Sequence, residues 1–557
     1  MLNVPCRPPR REKSRHYSLR LRKRTFWLGV TIGPIVLLAI ASQVAQIDFR
    51  DQRALYFKVK QAQESVTQLT HDLKYLRTKV RANLNSEPER LVLDVGAAEW
   101  QSIVASRNRA LDRGLLFTSS DDFVKARFTH DTETVNAKIR LKGDLLDHLK
   151  HPDRWSFRVK IRGEHAYQGM RRFSLQPPPT RNYLHEWVFQ RMARDEGLIG
   201  LRYDFVNLTV NGNDLGVYAV EEHFAKQVIE SHARREGPIV RFEEDTLWGV
   251  RQFGAEDAYL TAPISAFEMG SVLSSPASQG LFELAASRLE KVRTGEISVG
   301  DVFHLERLAH YFAICDLLGA QHGLSYNNMR FYFDPVAGKF EPVAFDGIPG
   351  LAIVAPSEVL ANATGIDGQR FLRLFFAEPE FCAHYHRSLE KVIAPEFLAG
   401  FLDRWQYDIS RLETIIHRQY PQVRFDPEVY RTNAETIART LAQGPDLAIY
   451  RRGPDHSTGF EVVNLQPRHA EITGAVLESG AFVPYRTPVA IAPYLSGVPS
   501  HPQTIAAPLD CVEGDQIVAL RTAPSGLRSP KDVTVEDFNV YRDIASLPRT
   551  SNAATIE

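Results

Sequence analysis

Apolar and polar positions along this chain fall into four regimes. From Thr25 to Ala45 no residue is charged over 21 positions. At about 1.5 Å per residue that is roughly 32 Å of helix, enough to cross a hydrocarbon core of about 30 Å. Pro34 is tolerated in such spans, and Trp27 suits the entry interface. Next, Val59, Ala62, Val66, Leu69, Leu73, Leu76 and Val80 recur at alternating spacings of three and four, an a/d seam across three heptads. The seam predicts a helical stalk that either pairs two copies or packs on its own domain.

From Leu91 the period shortens to that of strands. Residues 122–142 predict a hairpin turning at His130-Asp131-Thr132, followed by strands over Trp155–Ile161 and Met170–Gln176. Pro177, Pro178 and Pro179 cannot continue a central strand and break the sheet. Tyr183–Glu196 has helical spacing, with Gly197 placed as a C-cap. Asp204–Val210 and Leu215–Val220 flank Asn211-Gly212, a strong hairpin signal, and Glu221-Glu222 closes the second strand.

Further on, His304–Leu318 reads as an amphipathic helix and Gly319–Asn328 as a polar loop. Met329–Phe333 and Lys339–Val343 read as a second hairpin that delivers Phe345-Asp346-Gly347. Residues 380–450 carry helical faces (Leu389, Val392, Phe397, Phe401, Trp405, Ile409). After Arg451-Arg452-Gly453-Pro454 come short punctuated strands (Phe460–Leu465, Ala470–Leu477, Pro488–Ala492, Gln516–Arg521) of the kind that build a small β-sandwich. The tail after Pro548 is expected to be disordered.

Composition changes this picture in one place. Apolar residues make up 44 % and charged residues 24 %, as in ordinary globular proteins, and the net charge is zero. Yet residues 1–24 hold nine Lys/Arg and one acid, leaving 58 basic against 66 acidic side chains in the rest, a net charge of −8. The body is therefore not a nucleic-acid binder by charge. The basic flank stays cytoplasmic by the positive-inside rule, so the body lies in the periplasm or outside a bacterial inner membrane. Cleavage as a signal peptide near Ala39-Ile40-Ala41 would place the body on the same side. Four scattered cysteines exclude a disulfide scaffold or a zinc site.

The order of elements then suggests chemistry. A strand bearing a lysine, a helix bearing Glu186, two strands and a polar exit is the order of a protein-kinase small lobe, where Lys and Glu pair to hold phosphates. A loop ending in Asn328, a hairpin and then Asp346 is the layout that grips magnesium in the large lobe, although Asn328 and Asp346 also suit plain turns. Asp144 with Asp147, and Glu221 with Glu222, leave open an enzyme acting on sugar polymers through paired carboxylates.

The segments RLKGDLLDHLKHPDRWSFRVKIRG, LRYDFVNLTVNGNDLGVYAVEEHF and NNMRFYFDPVAGKFEPVAFDG resemble the spore-coat CotH kinase-like family, in its membrane-anchored bacterial branch. The resemblance runs from about Leu91 to Gly350. It implies an α+β chain with a two-lobed atypical protein-kinase-like core and a C-terminal β-sandwich-like domain. It also implies ATP, Mg²⁺ or Mn²⁺, and an extracytoplasmic protein or envelope polymer as acceptor. By similarity, Lys142 and Gly143 match a phosphate-side Arg-Gly motif, Lys160 lies in a basic strand, Glu222 closes the hairpin strand, and Asn328 and Asp346 form the metal pair.

One position departs from the family. Where active members carry a catalytic Asp, six residues before the second Asn, this chain has His322, and the family's second Asp is Ile348 here. Either His322 is the base, or Asp316 reaches in from the preceding helix, or the protein is a non-catalytic assembly factor for an envelope polymer. The expected organisation is a basic segment (1–24), a membrane helix (25–45), a stalk (46–88), a kinase-like core (89–380), a helical extension (381–452), a β-rich domain (453–547) and a tail (548–557).

Overall fold

The computed structural model describes residues 74–245, 247–248, 258–363, 370–451, 459–495, 502–509, 516–524 and 531–535. The expected basic segment, membrane helix and tail, and most of the stalk, lie outside these. Among the described residues no helix is long and apolar enough to cross a membrane. The chain divides into two compact units, Met1–Asn85 with Tyr420–Gln422, and Ser86–Gln419 with Val423–Glu557. In the first, residues 74–85 are helical. The second mixes helices and sheets.

Alternation with one apolar face builds the first layer of this second unit. β1 (Arg90–Val95), β2 (Val124–His130), β3 (Glu133–Leu141), β4 (Phe157–Ile161), β5 (Arg172–Gln176), β6 (Tyr203–Val210) and β7 (Asn213–Glu222) close into a barrel in the order β1-β2-β3-β4-β5-β7-β6. All pairings are antiparallel except β1 with β6, which run parallel from Arg90↔Asn207 to Leu93↔Val210 and close the ring. Phe128, Ile139, Phe157, Val159, Phe173, Leu175 and Leu208 fill the interior without exposure. Asn211 and Gly212 both take positive φ (48° and 79°), as the tight turn between β6 and β7 requires. α1 (Ala97–Arg113) lies against β2 and β3, its Trp100 stacked on Trp155 at 5.3 Å.

Period two sends the remaining side chains to the opposite face, where the register lines them up. Arg140 pairs with Arg158, Arg158 with Ser174, Ser174 with Glu221, and Glu221 with Tyr203, a single rank across β3, β4, β5, β7 and β6. The Pro-rich stretch ends β5 at Gln176 and forms a 3₁₀ turn over Pro178–Arg181, which leads into α2 (Leu184–Asp195).

The second layer begins with a four-stranded sheet. β8 (Ile239–Phe242), β9 (Ile264–Ala266), β10 (Arg330–Asp334) and β11 (Lys339–Val343) lie in the order β11-β10-β8-β9. Beside it α3 (Leu305–Leu318), expected to be amphipathic, is instead buried on every side from Leu308 onward, where it is apolar almost all round. α3 packs against α4 (Pro379–Ile393) and α5 (Glu428–Ala442). Phe312 of α3 meets Phe375, Phe376 and Phe381 edge-on at 5.3–5.8 Å, an aromatic cluster that fastens α4 to it.

The last strands start earlier than expected. β12 (Leu447–Arg451) falls inside the stretch predicted to be helical to 452. With β13 (Phe460–Asn464), β14 (Ala470–Leu477), β15 (Phe482–Ile491), β16 (Gln503–Ile505), β17 (Ile517–Pro524) and β18 (Lys531–Thr534) it forms two sheets, β12-β13-β16 and β15-β14-β17-β18. Both sheets contribute to one core that includes Ile449, Phe460, Val462, Ile472, Ile491 and Leu520. Glu358 ties this part to the helices: its buried carboxylate contacts His386 Nε2 at 2.5 Å and accepts the His469 backbone N–H at 2.9 Å.

Candidate active site

Two segments with strained backbones meet where the barrel's outer rank approaches the β10–β11 hairpin. After the proline turn, Asn182 and Tyr183 hold positive φ (51° and 55°), and so do Asp346 and Ile348 (47° and 45°) beyond β11. Such conformations each cost of order 1–3 kcal/mol and persist only where the surroundings impose them. Here the two segments are bonded to each other. Arg181 Nη2 donates to Asp346 Oδ2 at 3.0 Å, and Asn182 Nδ2 donates to the Pro349 carbonyl at 2.6 Å.

On the barrel side, Lys142 follows β3, and its Nζ donates to Glu221 Oε2 at 2.8 Å and to Gln176 Oε1. Both charged side chains are buried, Lys142 at 6 % and Glu221 at 0 % exposure. The Arg181 Nε stands 3.8 Å from the other Glu221 oxygen, so Glu221 lies between two cations. Burial opposes its ionisation, but Lys142 and Arg181 outweigh that and hold it below the usual carboxylate range. Burial, with Arg181 and Arg158 nearby, brings the Lys142 ammonium down to about 8 despite Glu221.

Glu186 enters the same neighbourhood from the first turn of α2. Its Oε1 accepts from Gln190 Nε2 at 2.8 Å, and its Oε2 is buried without a partner. Burial pushes its pKa up to about 8, with Arg181 opposing and Glu221 adding to the rise. At neutral pH Glu186 is therefore a protonated neighbour of the Lys142–Glu221 pair rather than its counter-ion.

The opposite wall comes from the hairpin. Arg330 pairs with Val343 across β10 and β11, so Asn328 and Asp346, just outside that pair, flank one end of the hairpin. Asn328 is buried, and its Nδ2 donates to the His322 carbonyl at 3.1 Å. Asp346 Oδ1 is buried without a hydrogen-bond partner. An orphaned buried carboxylate oxygen, with a buried carboxamide at the same end of the hairpin, is the hard-oxygen chemistry that Mg²⁺ or Mn²⁺ takes, so these residue types fit the metal that the sequence implies. Lys142, Arg158 and Arg181 gather round Glu221, the kind of positive cluster that a phosphate takes.

Gly143, next to Lys142 on the barrel side, is required for a steric reason. Its φ is 96°, and a Cβ there would sit 2.1 Å from the His148 ring. That ring bonds Ser156 Oγ through Nδ1 at 2.8 Å, and burial plus Lys142, Arg181 and Arg158 keep it neutral.

Three of the residues singled out from sequence lie elsewhere. Lys160 belongs to the next rank, paired with Lys138 and Arg172; within β4 it is Arg158 that shares a rank with Glu221. Glu222 points to the other face of β7 and binds Arg202, whose Nε donates to it at 3.0 Å. Asp316 is fully buried and saturated: it accepts from Gln321 Nε2 (2.6 Å), Ser357 Oγ (2.6 Å) and Tyr385 OH. It fastens the polar loop and the segment after Gly350 and offers no free oxygen to an acceptor. His322 is exposed on its 3₁₀ turn (Gln321–Leu324).

Glu221, Arg181, Arg158 and Gln176 were not singled out as site residues by the motif reading. Strand parity could have separated Glu221 from Glu222, but β7 is buried on both faces near its end and shows no alternation there. Arg181 had one available signal, its place two residues after three prolines that fix the turn.

The family model described as CotH kinase protein matches residues 139–435, a span that contains every residue of this cleft. No curated protein matches the chain.

Proposed function

Because the chain belongs to the CotH kinase protein family, we propose that it is an ATP- and metal-dependent phosphotransferase acting on an extracytoplasmic protein or a cell-envelope polymer. One observation carries this reading: Asp346 spends one oxygen on Arg181 and keeps the other buried and unpaired. Lys142 and Arg181 would meet the phosphates, and Asn328 and Asp346 would hold the metal. A bound Mg²⁺ or Mn²⁺ would neutralise charge on the phosphate oxygens. Glu221 keeps Lys142 in place and charged, and Gly143 lets the backbone pass close to His148. The remaining parts of the reading follow from the sequence: residues 25–45 as a single inner-membrane span, the body outside the cytoplasm, and a stalk that pairs two copies.

A second reading has its own support. His322 is an exposed imidazole where a base is needed, and Asp316 is sealed, which favours a kinase-shaped scaffold that assembles an envelope polymer. Purified protein incubated with labelled ATP and Mg²⁺ or Mn²⁺ separates the two. For the enzyme, metal-dependent nucleotide binding is expected in wild type and lost in Asp346→Ala, and His322→Asp preserves or raises transfer. No metal-dependent binding in any of the three proteins rules the enzyme out.

A further inference from the structure

One turn along α2 from Glu186 lies a cavity of about 270 Å³, walled by α2, β6, β7 and α6 (Gln406–His417). That is near the small end of ligand pockets. Its walls combine flat rings with four arginines (Arg191, Arg194, Arg202 and Arg411) against two carboxylates (Asp204 and Asp408). Trp187 and Trp405 meet edge to face at 6.0 Å, and the Arg191 guanidinium lies on Trp405 at 3.6 Å. Arg191 is already engaged by Asp195 at 3.2 Å. Arg194 is not so placed, and Arg411 has only longer pairs. Arg194 donates to the Gly200 carbonyl at 2.9 Å and has no carboxylate within ion-pair distance among the described residues. Arg411 reaches Asp408 and Asp204 only at 3.7 and 3.9 Å.

Gln190 also lines this cavity, and its amide is wired to the cleft. Its Nε2 donates to Glu186 Oε1 at 2.8 Å and to the Ala344 carbonyl at 3.3 Å, two residues before Asp346, while its Oε1 accepts the Leu201 N–H at 2.7 Å. We propose that this cavity is a second ligand site, taking a small oxyanion on a flat body, and that the ligand biases the cleft through Gln190. The ring stacks against the indole wall, and the oxyanion takes donors from Arg194 and Arg411. Occupancy fixes the α2 face that carries Gln190, and with it the bonds to Glu186 and Ala344. The regulatory half rests on the kinase reading; the binding half does not.

Phenyl phosphate is the probe, titrated calorimetrically into the full-length protein. Saturable binding is expected, weakened about tenfold or more in both Arg194→Met and Arg411→Met, the loss of one charge-assisted hydrogen bond each. Asp346→Ala is expected to bind it like wild type, because that substitution touches only the cleft. No saturable binding, wild-type affinity in both arginine variants, or binding lost in Asp346→Ala and kept in the arginine variants would each overturn the site. With the probe bound, nucleotide affinity should shift, and by linkage nucleotide should shift probe affinity by the same factor. Unchanged nucleotide affinity overturns the regulatory half, whereas absence of any nucleotide binding overturns the kinase reading and leaves the binding half standing.

Discussion

Replacing Glu221 by Gln tests the centre of the cleft, because it removes one charge and almost no volume. In the native protein Glu221 has no exposure and neutralises a Lys142 ammonium that is 6 % exposed. The amide leaves that ammonium buried beside Arg181 and Arg158, both of which already help to press its pKa down to about 8. Breaking one side of a buried pair costs about 3–5 kcal/mol, because the stranded charge loses both its water and its partner. Part of that cost is avoided if Lys142 gives up its proton, and without Glu221 it does so below the native value of about 8, so the loss should shrink as pH rises toward 8 and stay level above it. Between 8 and the ordinary value of 10.5 the unfolded lysine binds the proton more tightly in both proteins, so both gain stability with pH and the difference between them holds. Glu222→Gln is the control, one residue away but bonded to Arg202, which is 24 % exposed and can recover water. Joint replacement of Lys142 by Met and Glu221 by Leu removes both charges and should recover most of the loss. Urea transition midpoints at pH 7 and pH 9.5 measure wild type and these variants. If the double variant is as unstable as Glu221→Gln, or Glu222→Gln loses as much, the pair is not the electrostatic centre of the cleft.

Glu186→Gln should be more stable relative to wild type at pH 9 than at pH 5. Between the ordinary value of 4.5 and the folded value near 8, unfolding releases the proton, so wild type loses stability across that window and the amide does not; parallel midpoints at the two pH values would contradict the burial argument. Gly143→Ala should destabilise by about 1–3 kcal/mol from left-handed backbone strain alone, with more added by the clash with His148; a neutral thermal shift would refute the close approach. Glu358→Gln should lower the unfolding midpoint most near neutral pH. Despite burial, His386 holds the Glu358 carboxylate below its ordinary range, so its contribution is present above 4.5 and fades as pH falls through the folded value. A reporter active only in the cytoplasm should be silent when fused after Arg50 and active when fused before Thr25; the reverse pattern removes the extracytoplasmic reading.

Local signals decided most of the elements along residues 90–345. The hairpin over Asn211-Gly212, the break at Pro177–Pro179, the helix after Tyr183 and the β10–β11 hairpin are set by turn chemistry and period, which act over a few residues. The same locality explains Asn328 and Asp346, which one hairpin must bring to one end. What the sequence alone did not decide depends on pairing between distant segments. The parallel contact of β1 with β6 closes the barrel between strands far apart in the chain, and no local pattern specifies which strands meet. The pairing of β5 with β7, likewise non-consecutive strands, completes the rank Arg140–Arg158–Ser174–Glu221, and so makes Arg158 and Glu221, not Lys160 and Glu222, the neighbours of Lys142. A shift of one residue in a strand exchanges its two faces, so the choice between adjacent glutamates belongs to the assembled sheet. Arg181 meets Asp346 across 165 positions for the same reason. Its charge is written in the sequence, but its partner exists only where two strained turns are pressed together by the layers that hold them.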